Sequence, residues 1–199
     1  MQLFPFQVLL KSLTWSIKTS QKEVFLTFDD GPIEGITPWV VDLLNEYNAK
    51  ATFFCVGENV KKNCAVYNLL LSNGHSVGNH TMQHLNGWKY RNSVYYQDIK
   101  QAETFINSNL FRPPYGKIRP SQIYRLKKEY KIIMWDILTK DYDSEISGME
   151  CFEKVKRNVK PGSIIVFHDS IKAEKRLRIA LPLCLEYLKN EGYIFSAIK

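Results

Sequence analysis

The 199-residue chain has no uninterrupted block of like charge, no CxxC pair, no internal repeat and no long apolar run. Each absence excludes something. The formal net charge of +7 is spread over separate stretches, Lys127 to Lys131, Lys154 to Arg157 and Lys172 to Arg178. Without an arginine–aromatic array, this describes solvated helix faces, and nucleic acid is not an expected partner. The four cysteines show no metal-ligand spacing. Cys55 falls in an apolar strand and Cys184 on an apolar helix face, the usual places of free buried thiols. Cys64 and Cys151 are open to bridging, but nothing requires it. The apolar stretch Leu3 to Leu10 is too short to span a bilayer. It also lacks a preceding basic region and a small-residue cleavage site, so it does not read as a signal peptide. The default compartment is therefore the reducing cytoplasm. Val8, Leu9, Leu13 and Trp15, with Lys11 and Lys18, allow peripheral contact with a membrane interface. Packing on the domain is the alternative, and residues 1–22 are expected to form an N-terminal lid or packing segment.

What remains is a regular alternation of strand-like and helix-like segments. Val24 to Phe28 is a strand, and Thr37-Pro38 opens a helix with Val40, Leu43, Leu44 and Tyr47 on one face. Ala51 to Val56 and His75 to Gly78 are strands around a helix near Ala65 to Ser72. A helix from Ser93 to about Ser108 precedes the short strand Leu110 to Arg112. After a helix over Gln122 to Glu129 comes the strand Ile132 to Leu138, and Ser147 with Glu150 forms a capping box. Ser163 to Phe167, a helix through Leu177 to Leu188 containing Pro182, and Tyr193 to Ala197 complete the chain.

About seven strands with helices between them, and no long linker, predict a single α/β domain with a parallel sheet over residues 23–199. The polar residues of interest fall at the C-terminal ends of several different strands. Asp29 and Asp30 end the first, His80 and His84 follow the third, Arg112 ends the fourth, Asp141 follows the fifth and His168 ends the sixth. An open sheet serves its site from two or three strand ends, whereas a barrel collects them all. The expectation is a distorted (β/α) barrel.

Two adjacent aspartates before Gly31-Pro32 can both reach a cavity rim, one as a metal ligand and one as a general base. His80 and His84 are four residues apart, so one helical turn or a tight loop puts both imidazoles on one side. Two histidines and a carboxylate suit a divalent metal and leave positions open for water and substrate. Asn79 and Thr81 are placed to orient rings or substrate. His75 lacks a comparable partner and reads as structural. His168 is a candidate proton donor to a leaving amine, with Asp141 available to raise its pKa. Arg112 can pair with the free aspartate and keep it ionised.

Thr27-Phe28-Asp29-Asp30-Gly31-Pro32, His80-Thr81-Met82-Gln83-His84, Arg112-Pro113-Pro114-Tyr115-Gly116 and Ile165-Val166-Phe167-His168-Asp169 occur in one order along nearly the whole chain. Together they resemble the polysaccharide deacetylases of the NodB-homology group, carbohydrate esterase family 4. The resemblance implies a metal-dependent hydrolase that removes N-acetyl groups from the amino sugars of a poly- or oligosaccharide. It implies Asp30, His80 and His84 as ligands of a divalent metal, zinc in the first instance. Asp29 would be the base acting on the metal-activated water, and the Tyr115 backbone N–H would help stabilise the oxyanion. His168 would be the acid, with Arg112 orienting Asp29 and Asp141 tuning His168. One departure stands out: Tyr142 follows Asp141 where the family pattern carries tryptophan. Trp88 and Trp39 are placed either to stack on sugar or to pack. Two other functions compete. One is a deacetylase or deformylase of a lipid-linked amino sugar at the cytoplasmic membrane face. The other is a catalytically silent sugar-binding module, which would be expected to have lost one of Asp29, Asp30, His80, His84 or His168.

Overall fold

The computed structural model describes residues 12–199, so the first half of the expected N-terminal segment, residues 1–11, lies outside the described residues. Among the described residues there are nine strands: β1 Leu13–Thr14, β2 Glu23–Asp29, β3 Thr52–Cys55, β4 Ser76–Asn79, β5 Leu110–Phe111, β6 Lys131–Ile133, β7 Ile137–Leu138, β8 Ile164–His168 and β9 Ile194–Phe195. The same residues form seven α-helices: α1 Thr37–Glu46, α2 Gly57–Lys62, α3 Cys64–Ser72, α4 Asn92–Ala102, α5 Pro120–Leu126, α6 Gly148–Asn158 and α7 Glu174–Asn190. The sheet order is β1-β6-β5-β4-β3-β2-β8-β7, with β9 added to β2, and every ladder is parallel. This is the expected α/β barrel. Among the described residues, no helix is long and apolar enough to cross a membrane.

Strand periodicity divides the two faces of the wall. In β2, Val24, Leu26 and Phe28 join the large cluster under the helices, whereas Phe25 joins a separate inner cluster with Phe54, Leu110, Ile133 and Ile164. The inward series Phe25, Thr27, Asp29 and its neighbour Ile164, Val166, His168 both run from apolar to ionisable along the strand. The register sets Asp29 beside His168. The barrel is thus closed by packed side chains at the N-terminal end and reactive at the other.

The expected strand Ile132 to Leu138 is two strands. β6 pairs with β5 and β1, while β7 pairs with β8 at the far end of the order. Met134-Trp135-Asp136 carries the chain across the seam between them, a change of partner that hydrophobic periodicity does not reveal. The N-terminal side of the domain backs this seam. Ser16 bridges Ser163, and the Ile17 N–H donates to the Gly162 carbonyl at 2.9 Å. Two smaller differences follow from local chemistry. Helix α2 is six residues, too short to show a helical period. Thr37 does not cap α1, because its hydroxyl is engaged elsewhere. Ser147 and Glu150 form the expected capping box of α6.

Candidate metal centre and catalytic cleft

At the C-terminal mouth of the barrel is a cleft of about 350 Å³ lined by residues from four motifs, among them Asp29, Asp30, His80, His84, Tyr115 and His168. Arg112 is buried behind Asp29 and outside the cleft lining. This side chain has no solvent exposure, and its guanidinium lies 4.1 Å from the centre of the Phe54 ring. Its Nη1 donates to Asp29 Oδ1 and to Thr27 Oγ1, both at 2.7 Å. Nε and Nη2 donate to the carbonyls of Ile133 and Met134, at 3.3 and 2.9 Å. One cation therefore fixes the Asp29 carboxylate and satisfies two carbonyls at the seam. Burial lowers the Arg112 pKa against the pull of Asp29, yet a guanidinium stays charged in proteins.

Successive residues on an extended strand point to opposite faces, yet Asp30 lines the same cleft as Asp29, because its backbone turns into the left-handed region with φ of 81°. The turn is held from beneath. The Gly31 N–H donates to Asp169 Oδ1 at 3.1 Å, and the Thr37 hydroxyl donates to Asp169 Oδ2 at 2.5 Å. A Cβ on Gly31 would fall 2.0 Å from Asp169 Oδ2, so only glycine lets the loop sit this close. Burial pushes the Asp169 carboxyl up to about 8, despite the bonds from Thr37 and Gly31.

The two histidines come from a loop after β4 rather than from a helix. Thr81 and His84 have φ of 65° and 55°. The Asn79 side chain accepts the Thr81 N–H at 2.8 Å, and Asp98 accepts the N–H groups of Met82 and Gln83 at 2.8 and 3.2 Å. Asn79 and Thr81 thus shape the loop rather than touch the rings. His80 Nδ1 lies 2.7 Å from the Arg112 carbonyl, which can only accept, so this nitrogen carries the proton. The Nε2 lone pair is left facing Asp30 Oδ1 at 3.8 Å. Burial pushes the His80 imidazole down to about 4, outweighing the attraction of Asp29 and Asp30. His84 Nε2 is 3.1 Å from the same oxygen, and its Nδ1 is 3.1 Å from the Tyr115 hydroxyl. Burial alone would raise the Asp30 carboxyl, but the His84 hydrogen bond and the charges of His168, His80 and His84 hold it well below the usual carboxylate range.

These donors fit a divalent cation. One carboxylate oxygen and two imidazole nitrogens all lie within 4.8 Å of one another. Bonds of about 2.1 Å to a common ion would set tetrahedral ligands roughly 3.4 Å apart. The buried neutral imidazole of His80 and the anionic Asp30 already have the protonation states a metal needs.

On the strand next to Asp29, His168 Nδ1 is 2.7 Å from Asp141 Oδ1, while Asp141 Oδ2 accepts the His168 backbone N–H at 2.8 Å. Asp141 is fully buried, and His168 lines the cleft. Burial disfavours the charged imidazole, but the bond and charge of Asp141, with Asp30 and Asp29 beyond, raise it to about 9. Tyr142 packs edge-on against His168, with ring centres 4.9 Å apart. His75 is remote and structural, its Nδ1 accepting the Ala51 N–H at 3.2 Å. Trp88 is exposed, with Lys117 Nζ 4.3 Å from its ring centre, and Trp39 lies 4.6 Å from the Arg178 guanidinium. Sequence reasoning did not single out Asp169, Asp98, Trp135 or Lys172. Only Asp169 had a signal, its place beside His168 in the last motif.

The family model described as polysaccharide deacetylase matches residues 16–132. A peptidoglycan-N-acetylglucosamine deacetylase of Bacillus cereus is 34% identical over 194 residues, covering 94% of this chain and 91% of that protein. A crystal structure of a peptidoglycan N-acetylglucosamine deacetylase gives a TM-score of 0.91 at 32% identity, covering 98% of this chain and 94% of the other. A mutant of a CE4 family pseudoenzyme with restored enzymatic activity gives a TM-score of 0.80 at 26% identity, covering 94% and 69%.

Proposed function

This chain belongs to the polysaccharide deacetylase family, and we propose that it is a metal-dependent hydrolase removing N-acetyl groups from the glucosamine units of a glycan. The observation that carries this is the meeting of two ion pairs in one cleft. Asp29 with Arg112 and His168 with Asp141 stand side by side on paired strands, and Asp30, His80 and His84 share the mouth. Asp30, His80 and His84 would hold the cation, with zinc favoured by two imidazoles and one carboxylate. A bound divalent cation supplies Lewis acidity and a lowered water pKa.

The remaining chemistry belongs to the chain. Asp29, fixed by the hydrogen bond from Arg112, takes a proton from the attacking water as the new C–O bond forms. The backbone N–H of Tyr115 donates to the oxyanion. His168, protonated at neutral pH, gives a proton from Nε2 to the amide nitrogen as the C–N bond breaks. Acetate and a free sugar amine leave. Asp141 accepts from Nδ1 and so keeps Nε2 as the donor toward the cleft. The test is acetate release from N-acetylglucosamine oligomers, with bound metal assayed and a chelator control. Chelator-sensitive release that returns with added zinc is expected. Bound metal with no acetate from any N-acetylated oligomer would contradict the substrate class.

A further inference from the structure

The charges of the cleft are neutralised with one exception. Asp29 pairs with Arg112, His168 pairs with Asp141, and Asp30 faces two imidazoles. Lys172 lines the same cleft and is exposed, yet it forms no ion pair among the described residues. Its ammonium lies 5.7 Å from the centre of the Tyr142 ring, within cation–π range. Tyr142 in turn packs against His168.

The backbone carrying this cation is anchored. Arg176 Nη2 donates to the Lys172 carbonyl at 2.6 Å, and Arg176 Nε donates to the Asp141 carbonyl at 2.5 Å. One arginine of α7 thus ties together the loop that holds Asp141 and Tyr142 and the loop that holds Lys172. The base of the side chain is set and its charge is unanswered. Its position also selects a side of the substrate. His168 faces the leaving nitrogen, which is attached to the sugar, so a cation on the His168 and Tyr142 side faces the sugar rather than the acyl group.

We propose that Lys172 is a specificity residue for a carboxylate carried by the glycan beside the reacting acetamide, so that the enzyme prefers an acidic oligosaccharide to a neutral one. This rests on the deacetylase reading above and names the class of substrate within it. A partly exposed ion pair of this kind is worth about fivefold in affinity and is screened by salt.

The test compares kcat/KM on two oligomers of equal length, using zinc-loaded protein. One is built of N-acetylglucosamine alone, and the other alternates it with N-acetylmuramic acid bearing its free carboxylate. In Lys172→Met the acidic-to-neutral ratio should fall about fivefold, chiefly through KM for the acidic oligomer. Lys172→Glu should lower it further, and Lys172→Arg should largely keep it. Added salt should erode the ratio in the wild type and not in Lys172→Met. An equal ratio in wild type, Met and Glu variants would overturn the assignment. So would a loss of kcat on both oligomers alike, which would mark Lys172 as structural. Absence of acetate from both oligomers with metal-loaded wild type would sink the deacetylase reading itself.

Discussion

Arg112 supports the base, the seam and the packing over Phe54 with one side chain. Arg112→Leu leaves the Asp29 carboxylate and two carbonyls without their partner. Removing one member of a buried ion pair costs about 3–5 kcal/mol, so urea unfolding should show a loss of that size. Arg112→Lys should recover only part, because a point charge cannot serve Asp29, Thr27 and both carbonyls together. His168 makes a different prediction, in pH. Its imidazole is raised from 6.5 to about 9. The native state therefore holds a proton that the unfolded chain releases near neutrality. The pair's stabilisation is full below pH 6.5 and is lost as pH rises through about 9. In Asp141→Asn the difference in Tm from wild type should shrink across that window. The alkaline limb of kcat/KM should move toward neutral pH by about one unit or more. An unmoved limb would mean that another group is the acid.

At the level of elements, the ligand-bearing turn depends on a residue that sequence patterns assign to something else. Thr37 stands before Pro38 at a helix start and reads as a cap. In the fold its hydroxyl accepts the Ile33 N–H at 2.8 Å and donates to Asp169, which holds Gly31. Thr37→Val should cost about 1–3 kcal/mol by leaving the buried Asp169 and the Ile33 N–H under-satisfied. It should also weaken zinc binding in competition titrations, since Asp30 is next to the loosened Gly31. A mere capping loss would lower stability and leave metal affinity unchanged. Ser147 shows the opposite case: its capping box with Glu150 was legible because nothing else in the fold competes for that hydroxyl. Local propensity is readable where the contacts are local. It fails at Thr37, whose partner lies 132 positions away.

Across the whole molecule, the barrel and its mouth were legible because reactive residues recur at strand ends, and the inward face of β2 and β8 obeys a period of two. The seam was not. Ile132 to Leu138 looks like one continuous strand, and only the pairing of β6 with β5 and of β7 with β8 separates it. The same limit applies to Lys172, Trp135 and Asp98, which gain meaning from where the chain returns. All of these supports converge on one claim, that Asp29 is the base and Asp30, beside it, is a ligand. The direct measurement is acetate release by Asp29→Asn that has been loaded with zinc and assayed for metal, beside wild type and His84→Ala. Asp29→Asn is expected to keep the metal and lose about 10²–10⁴-fold in kcat, while His84→Ala loses both. Near-wild-type turnover by metal-loaded Asp29→Asn would contradict the assignment of Asp29 as the base.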